Sequence, residues 1–129
     1  MDHPYLKHYV RDERPWGFFE RLTQSEESTI KIITVHQGEM FSLQTHALRD
    51  EYWRILSGDG IVTVGDTTTH ARAGQEFYIP RGTVHRAQGG SADLVFLEVA
   101  FGQFDENDIV RLEDKYGRPD RPTAHISSH

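Results

Sequence analysis

Four side chains that can bind a metal ion stand in two short stretches of this sequence. Gln44 and His46 lie two residues apart in "SLQTH", and Glu51 follows five residues after the imidazole. Residues two apart in a strand point to the same face of a sheet, so the amide and the imidazole would be neighbours. His85 stands after the turn "IPRGT". If the strands return antiparallel, an amide, two imidazoles and a carboxylate could converge on one ion.

The donor set determines what this ion could do. Two histidines, one carboxylate and one amide oxygen leave one or two positions open, which is typical of a catalytic metal site. The sequence has no cysteine, so a thiolate site is excluded. Nitrogen and oxygen donors suit Zn, Mn, Fe, Ni and Co, and residue types alone do not choose among them. We take zinc as the first candidate.

Short strands separated by turns must position these side chains. From Trp16 onward the chain alternates between segments rich in aromatic and β-branched residues and turns marked by glycine. Such spacing is typical of an all-β sandwich or barrel, and a barrel of about eight strands has room for one small ligand. The segments that predict strands are "WGFFERL", "STIKIITV", "FSLQTH", "EYWRILS", "GIVTVG", "TTTHARA", "EFYIP", "TVHRAQ" and "DLVFLEVAF".

One short C-terminal helix is expected in "DENDIVRLEDKYG". Asp105 could cap its first turn, and Ile109, Leu112 and Tyr116 recur at helical spacing. Gly117 could end it.

Composition gives the domain organisation. The chain has 129 residues and a net charge of -6, which suits one domain and argues against a nucleic-acid partner. Residues 1–13 are charged and without period, so we expect a loose N-terminal arm, a single domain over residues 14–118, and a flexible tail over residues 119–129. The polar start does not resemble a signal peptide, and no apolar run is long enough to cross a membrane. A cytoplasmic protein is expected.

The spacing of the possible ligands resembles the two motifs of the cupin family. Gly38, Gln44, His46, Glu51 and Gly58 match G-x5-H-x-H-x4-E-x6-G, with the amide in place of the first histidine. The stretch from Gly74 to His85 matches the second motif, G-x5-P-x-G-x2-H, whose usual closing Asn is Gly89 here.

Longer segments resemble the type II mannose-6-phosphate isomerase branch of the cupins. They are "ERPWGFFERL", "SLQTH" with "EYWRILSG", "YIPRGTVHRAQ" and "DENDIVRLEDKYGR", and they run from Arg14 to Arg118. The resemblance implies a cupin double-stranded β-helix (a jelly-roll barrel), often a homodimer, that interconverts mannose 6-phosphate and fructose 6-phosphate. It also implies a divalent metal held by a set of four ligands: Gln44, His46, Glu51 and His85. A stand-alone cupin domain is expected, since no nucleotidyltransferase domain or Gly-rich phosphate loop is present.

The chain departs from the branch beside the ligands. Ala47, Leu48 and Tyr52 stand where the branch usually has histidines, and Ala100 replaces a usual Gln. These departures leave the substrate open.

Three residues are candidates for catalysis. Isomerisation needs a base that relays a proton between two carbons. Glu98 and Lys31 are out of pattern within the apolar segments "LVFLEVAF" and "TIKIITV", although they could instead face solvent or pair with each other. Arg86 adjoins His85, and strand alternation would turn it from the metal toward the rim or a partner subunit.

A sugar phosphate needs cations, and arginine suits bidentate contact with phosphate. Arg14, Arg49 and Arg81 fall within the matched motifs and are the substrate-binding candidates, each with a solvated surface role as the alternative.

Two other functions stay open. One is a metal-dependent oxygenase that acts on another small molecule, for which iron sites with three histidines or with two histidines and a carboxylate are typical. The other is a non-catalytic cupin that binds a sugar.

Overall fold

Two β-sheets that face each other form the body of the protein. The computed structural model describes residues 2–103 and 105–113, and the regular elements in those ranges are all strands. In chain order they are β1 (Val10–Arg14), β2 (Gly17–Arg21), β3 (Ser28–Val35), β4 (Leu43–Thr45), β5 (Arg49–Ser57), β6 (Gly60–Val64), β7 (Thr67–Ala71), β8 (Glu76–Ile79), β9 (His85–Gly89), β10 (Leu94–Gly102) and β11 (Val110–Glu113).

The strands pair in an order that brings distant parts of the chain together. One sheet has the order β3-β10-β5-β8, the other has the order β11-β4-β9-β6-β7, and β1 and β2 form a separate hairpin. All of these pairs are antiparallel. The all-β prediction is confirmed, and each of the nine segments chosen from the sequence contains a strand. In the described part of the chain, we find no helix long and apolar enough to cross a bilayer.

The main core lies between the two sheets because both contribute to one apolar cluster. Trp53 and Ile55 of β5 and Phe96 of β10 come from the first sheet, and Val62 of β6 and Ala87 of β9 come from the second. Burial alternates along β10 from Leu94 to Glu98, and along β5 from Arg49 to Ile55 except at Tyr52, as expected when one face of a sheet faces the core.

The N-terminal segment covers the outer face of the first sheet. Leu6 is buried against Tyr52 and Val99, and His3 Nε2 lies 2.8 Å from Glu76 Oε2. This packing was not predicted, because residues 1–13 show no hydrophobic period. A single buried leucine and one histidine contact leave no periodic pattern in the sequence.

The predicted C-terminal helix is wrong. Val110–Glu113 form strand β11 instead, with Val110 opposite Thr45 and Arg111 opposite Gln44. The edge of β4 offers hydrogen bonds to the incoming strand, whereas a short helix is marginal without packing of its own. The rest of that prediction, with Tyr116, Gly117 and the tail over residues 119–129, lies outside the described residues.

Candidate metal centre

The four predicted ligands come together between the sheets. Gln44 of β4 lies directly opposite His85 of β9, His46 follows β4, and Glu51 is on β5 of the facing sheet. All four are at most 3% exposed. One side-chain atom each from His46, Glu51 and His85 can be chosen so that the three lie within 4.8 Å of one another.

Backbone carbonyls fix the orientation of both imidazoles. His46 Nδ1 lies 2.6 Å from the Asp108 carbonyl, and His85 Nδ1 lies 3.0 Å from the Thr83 carbonyl. A carbonyl only accepts, so each Nδ1 carries the hydrogen and each Nε2 keeps a lone pair. Burial lowers the pKa of His46 to about 4, against the opposing charge of Glu51. Burial also lowers the pKa of His85. Both rings are therefore neutral near pH 7, as metal binding requires.

Two buried acceptor atoms indicate that the donor set fits a cation. Gln44 Nε2 donates to the carbonyl and the hydroxyl of Ser42, both at 3.1 Å, which fixes the orientation of the amide. Gln44 Oε1 and His85 Nε2 have no hydrogen-bond partner among the described residues. A buried polar atom without a partner costs about 1–3 kcal/mol. A divalent ion would satisfy both atoms together with Glu51 and His46.

Two other side chains hold Glu51. Trp53 Nε1 donates to Glu51 Oε1 at 2.9 Å, and Arg49 Nε donates to Glu51 Oε2 at 2.8 Å. Arg49 Nη2 also lies 3.1 Å from His46 Nε2. The arginine that we chose for substrate binding is therefore inside the cluster, with a side chain only 1% exposed.

Glu98 and Lys31 share the inner face of the barrel. They are directly opposite each other across β10 and β3, so neither side chain lies on the solvent face that the sequence left open as the alternative. Burial, followed by the charge of Glu51 and a hydrogen bond with it, raises the pKa of Glu98 well above its usual range. The Glu98 carboxyl therefore keeps its proton to a higher pH than an exposed carboxyl does. Lys31 is 24% exposed and its Nζ lies 3.4 Å from Glu106 Oε1.

The structure does not bring Arg86 into the cluster. Its Nε donates to the carbonyl of Phe41 at 2.9 Å and its Nη1 donates to Glu113 Oε1 at 2.7 Å. Alternation along β9 buries His85 and turns its neighbour to the other face.

Arg14 and Arg81 also make other contacts. Arg14 pairs with Asp12 at 2.9 Å on the β1–β2 hairpin, and about half of its side chain is exposed. Both Nε and Nη2 of Arg81 donate to the Asp50 carboxylate, again at the surface.

Sequence reasoning missed three residues that support the site. Asp108 orients His46 through its backbone carbonyl, and its carboxylate accepts hydrogen bonds from the backbone N–H groups of Ala47 and Leu48. Arg111 is 1% exposed on β11, and Ser42 holds the Gln44 amide. In "DIVRLE", side chains two apart point to the same face of a strand, and this alternation could have indicated a strand with Arg111 on its buried face.

The facing sheets and the inward-facing ligand set define a cupin. A cupin protein from Bacteroides fragilis superposes with a TM-score of 0.54 at 21% identity, over 58% of this chain and 65% of that one, which supports the fold alone. Residues 2–114 match the family described as mannose-6-phosphate isomerase C-terminal. The chain belongs to this family.

Two full-length relatives show the context in which such domains occur. The xanthan biosynthesis protein XanB of Xanthomonas campestris pv. campestris (strain B100) is 41% identical over 107 residues, which are 81% of this chain and 23% of XanB. Mannose-1-phosphate guanylyltransferase 2 of Escherichia coli O157:H7 is 38% identical over 109 residues, which are 83% of this chain and 23% of that protein. The chain therefore spans about a quarter of the length of these relatives.

The predicted function, a sugar-phosphate isomerase, is wrong on this comparison. The relatives are named for guanylyl transfer to mannose 1-phosphate and for xanthan biosynthesis, and neither name refers to isomerisation or oxygenation. The physical reason is that the motifs specify metal ligands and turns. They bring donor side chains together between the sheets, and they do not encode a reaction.

Proposed function

We propose that this protein binds a divalent metal ion through Gln44, His46, Glu51 and His85, and that a phosphorylated mannose binds at this ion. The observation that carries the metal site is that two buried atoms, Gln44 Oε1 and His85 Nε2, have no hydrogen-bond partner in the part of the chain that the structure describes. The sugar class is supported by the relative named for mannose-1-phosphate guanylyl transfer. Zinc is the proposed metal, with Mn, Fe, Ni and Co as alternatives.

The residues around the ligands suit a polar sugar. When bound, a divalent ion would supply Lewis-acid polarisation of a ligand oxygen. Glu98, whose pKa is raised by burial and by Glu51, would in its protonated form donate a hydrogen bond to a sugar hydroxyl. Lys31, partly exposed on the same face, would attract the phosphate. The cation would favour a sugar phosphate over a neutral sugar, whereas the hydrogen bond from Glu98 would be available to both.

Metal content and ligand binding test this proposal together. Elemental analysis of the purified protein identifies the metal, and the metal-free protein is then loaded with each candidate ion. Calorimetry should show binding of mannose 6-phosphate or mannose 1-phosphate by the loaded protein, and weaker binding of mannose and glucose 6-phosphate. Absence of binding to both mannose phosphates with every ion would overturn the sugar assignment.

A histidine pair provides the matched control. His85→Ala should abolish metal binding, because it removes a buried donor, whereas His36→Ala should not, because the His36 side chain is 77% exposed. Equal metal content in the two variants would overturn the ligand assignment.

The homodimer also stays a proposal. Trp16, Ile30 and Ile32 are 73%, 58% and 66% exposed on the β1–β2 hairpin and β3, and they suit a subunit contact. Sedimentation of Ile32→Lys beside the unchanged protein tests it: a dimer that becomes monomeric supports this face.

A further inference from the structure

Arg49 contacts two of the four proposed metal ligands at hydrogen-bond distance. Its Nε donates to Glu51 Oε2 at 2.8 Å, and its Nη2 lies 3.1 Å from His46 Nε2. Because His46 Nδ1 faces the Asp108 carbonyl, Nε2 is the acceptor in the contact with Arg49. The single lone pair of His46 Nε2 is one that a metal would need, whereas the Glu51 carboxylate has further lone pairs to offer.

A guanidinium and a divalent ion cannot use the same lone pairs. A lone pair that accepts a hydrogen bond is not available to a metal, and two cations a few ångströms apart repel each other strongly in a buried site. Metal binding therefore requires that the Arg49 guanidinium leave His46 Nε2. The other two ligands, Gln44 and His85, need no such exchange.

A displaced guanidinium needs a new anion. Arg49 is 2% exposed, and its other contacts are with Glu51 and with the Asp105 carbonyl, 3.5 Å from Nη1. A metal ion that shares Glu51 would weaken the pairing of this buried cation, which makes a second anion favourable. Phosphate matches the guanidinium fork with two parallel hydrogen bonds. A sugar phosphate bound at the metal would bring this anion to the vacated guanidinium.

We infer that Arg49 is a displaceable internal cation, which holds Glu51 and His46 until a metal binds and then turns to the phosphate of the ligand. This inference rests on the proposed function. If Arg49 acts in this way, metal binding and phosphate binding strengthen each other. The metal displaces Arg49 toward the phosphate, and the phosphate stabilises Arg49 in its displaced position. By linkage, the strengthening must be the same in both directions.

Cobalt binding tests the first half of this inference without any sugar. The affinity for Co²⁺ is measured by competition with a chromophoric chelator, and the visible spectrum of bound Co²⁺ reports the coordination. Arg49→Gln should bind Co²⁺ at least about 10-fold more tightly than the unchanged protein, since the competing cation is gone. Arg49→Lys keeps the charge and should stay within about threefold of the unchanged protein.

Arg72→Gln is the charge-matched control, since Arg72 is exposed in the turn after β7, and its Co²⁺ affinity should not change. Circular dichroism and a cooperative thermal transition establish that each variant is folded. Arg49→Met, which keeps the length of the side chain, replaces the Gln variant if that variant does not fold. A folded neutral variant with unchanged or weaker Co²⁺ affinity would overturn the inference.

The second half is tested with mannose 6-phosphate as the probe. It should strengthen Co²⁺ binding by about 10-fold in the unchanged protein and by less than about twofold in Arg49→Gln. Equal strengthening in both would show that Arg49 does not contact the phosphate and would overturn this half. If the unchanged protein bound no Co²⁺, the proposed metal site itself would be wrong. If it bound Co²⁺ and Arg49→Gln bound the ion no more tightly, only the proposed role of Arg49 would be wrong.

Discussion

Gln44 lies directly opposite His85 across β4 and β9, and each residue presents one buried acceptor atom without a partner in the described part of the chain. Each of these side chains is also fixed from behind. Ser42 holds the amide nitrogen of Gln44, and the Thr83 carbonyl holds Nδ1 of His85. The two donors are therefore preorganised in the metal-free protein.

Ser42→Ala should weaken metal binding. The substitution removes one of the two bonds that orient the Gln44 amide, and loss of such supporting contacts typically costs about 10-fold to 100-fold in metal affinity. We expect about 10-fold, since the Ser42 carbonyl remains. Chelator competition measures the effect, and Ser91→Ala on the exposed surface is the control. Unchanged affinity in Ser42→Ala would mean that the amide does not bind the metal.

The stability of the metal-free protein should fall below pH 6.5 because of His46. Burial lowers its pKa from the ordinary value of 6.5 to about 4 in the folded protein, so the unfolded chain binds the proton first. The contribution of His46 is fully present above pH 6.5 and is lost as the pH falls toward 4, at up to about 1.4 kcal/mol per pH unit. Urea unfolding at several pH values, with chelator present, measures this slope.

His46→Gln should reduce this pH dependence, whereas His36→Gln should keep it, since His36 is mostly exposed. A slope that is the same in both variants would contradict the assignment to His46.

Glu98→Gln should stabilise the metal-free protein increasingly as the pH rises. The folded pKa of Glu98 is raised above 4.5 by burial and by Glu51, so its contribution is fully present below pH 4.5 and is lost as the pH rises toward the folded pKa. Gln has nearly the same shape and no proton to lose. In that pH window, the free energy of unfolding of the variant should rise relative to that of the unchanged protein by up to about 1.4 kcal/mol per pH unit.

The same titration on Glu113→Gln provides the control, because the Glu113 side chain is 68% exposed and its replacement should have little effect at any pH. A pH-independent difference between Glu98→Gln and the unchanged protein would show that folding does not raise the pKa of Glu98.

Leu6→Ala should lower the free energy of unfolding by about 2–4 kcal/mol, since the side chain is buried against Tyr52 and Val99. Leu56→Ala, at a position 44% exposed, should cost less than about 1 kcal/mol. Urea unfolding measures both. Similar costs for the two variants would mean that the N-terminal segment does not pack on the sheet in solution.

The strands, and the four side chains that come together between the sheets, could be predicted because both leave regular patterns. β-Branched and aromatic segments between glycine turns indicated the strands, and fixed spacing selected Gln44, His46, Glu51 and His85. The error at β11 also comes from a regular pattern. Ile109 and Leu112 fit a helical period, but this period gives no information about the open edge of β4, with which the segment pairs.

The supporting contacts could not be predicted for a different reason. Asp108 orients His46 through a backbone carbonyl, which every residue has, so its type gives no signal. Arg49 and Arg111 are buried cations, against the usual exposure of arginine. Alternation indicates the face of a strand, but it does not indicate which residues of the opposite sheet will lie there.

Strand β4 has only three residues, yet two of the four proposed ligands lie on it or directly after it. Its neighbours are β9 and β11, both of which follow it in the chain by many residues. Gln44 and His46 therefore leave the ribosome after Ser42, which holds the Gln44 amide, but before β9, β11 and the Asp108 carbonyl. The arrangement of the proposed site is therefore complete only when Asp108 and β11, the last described strand in the chain, have been synthesised.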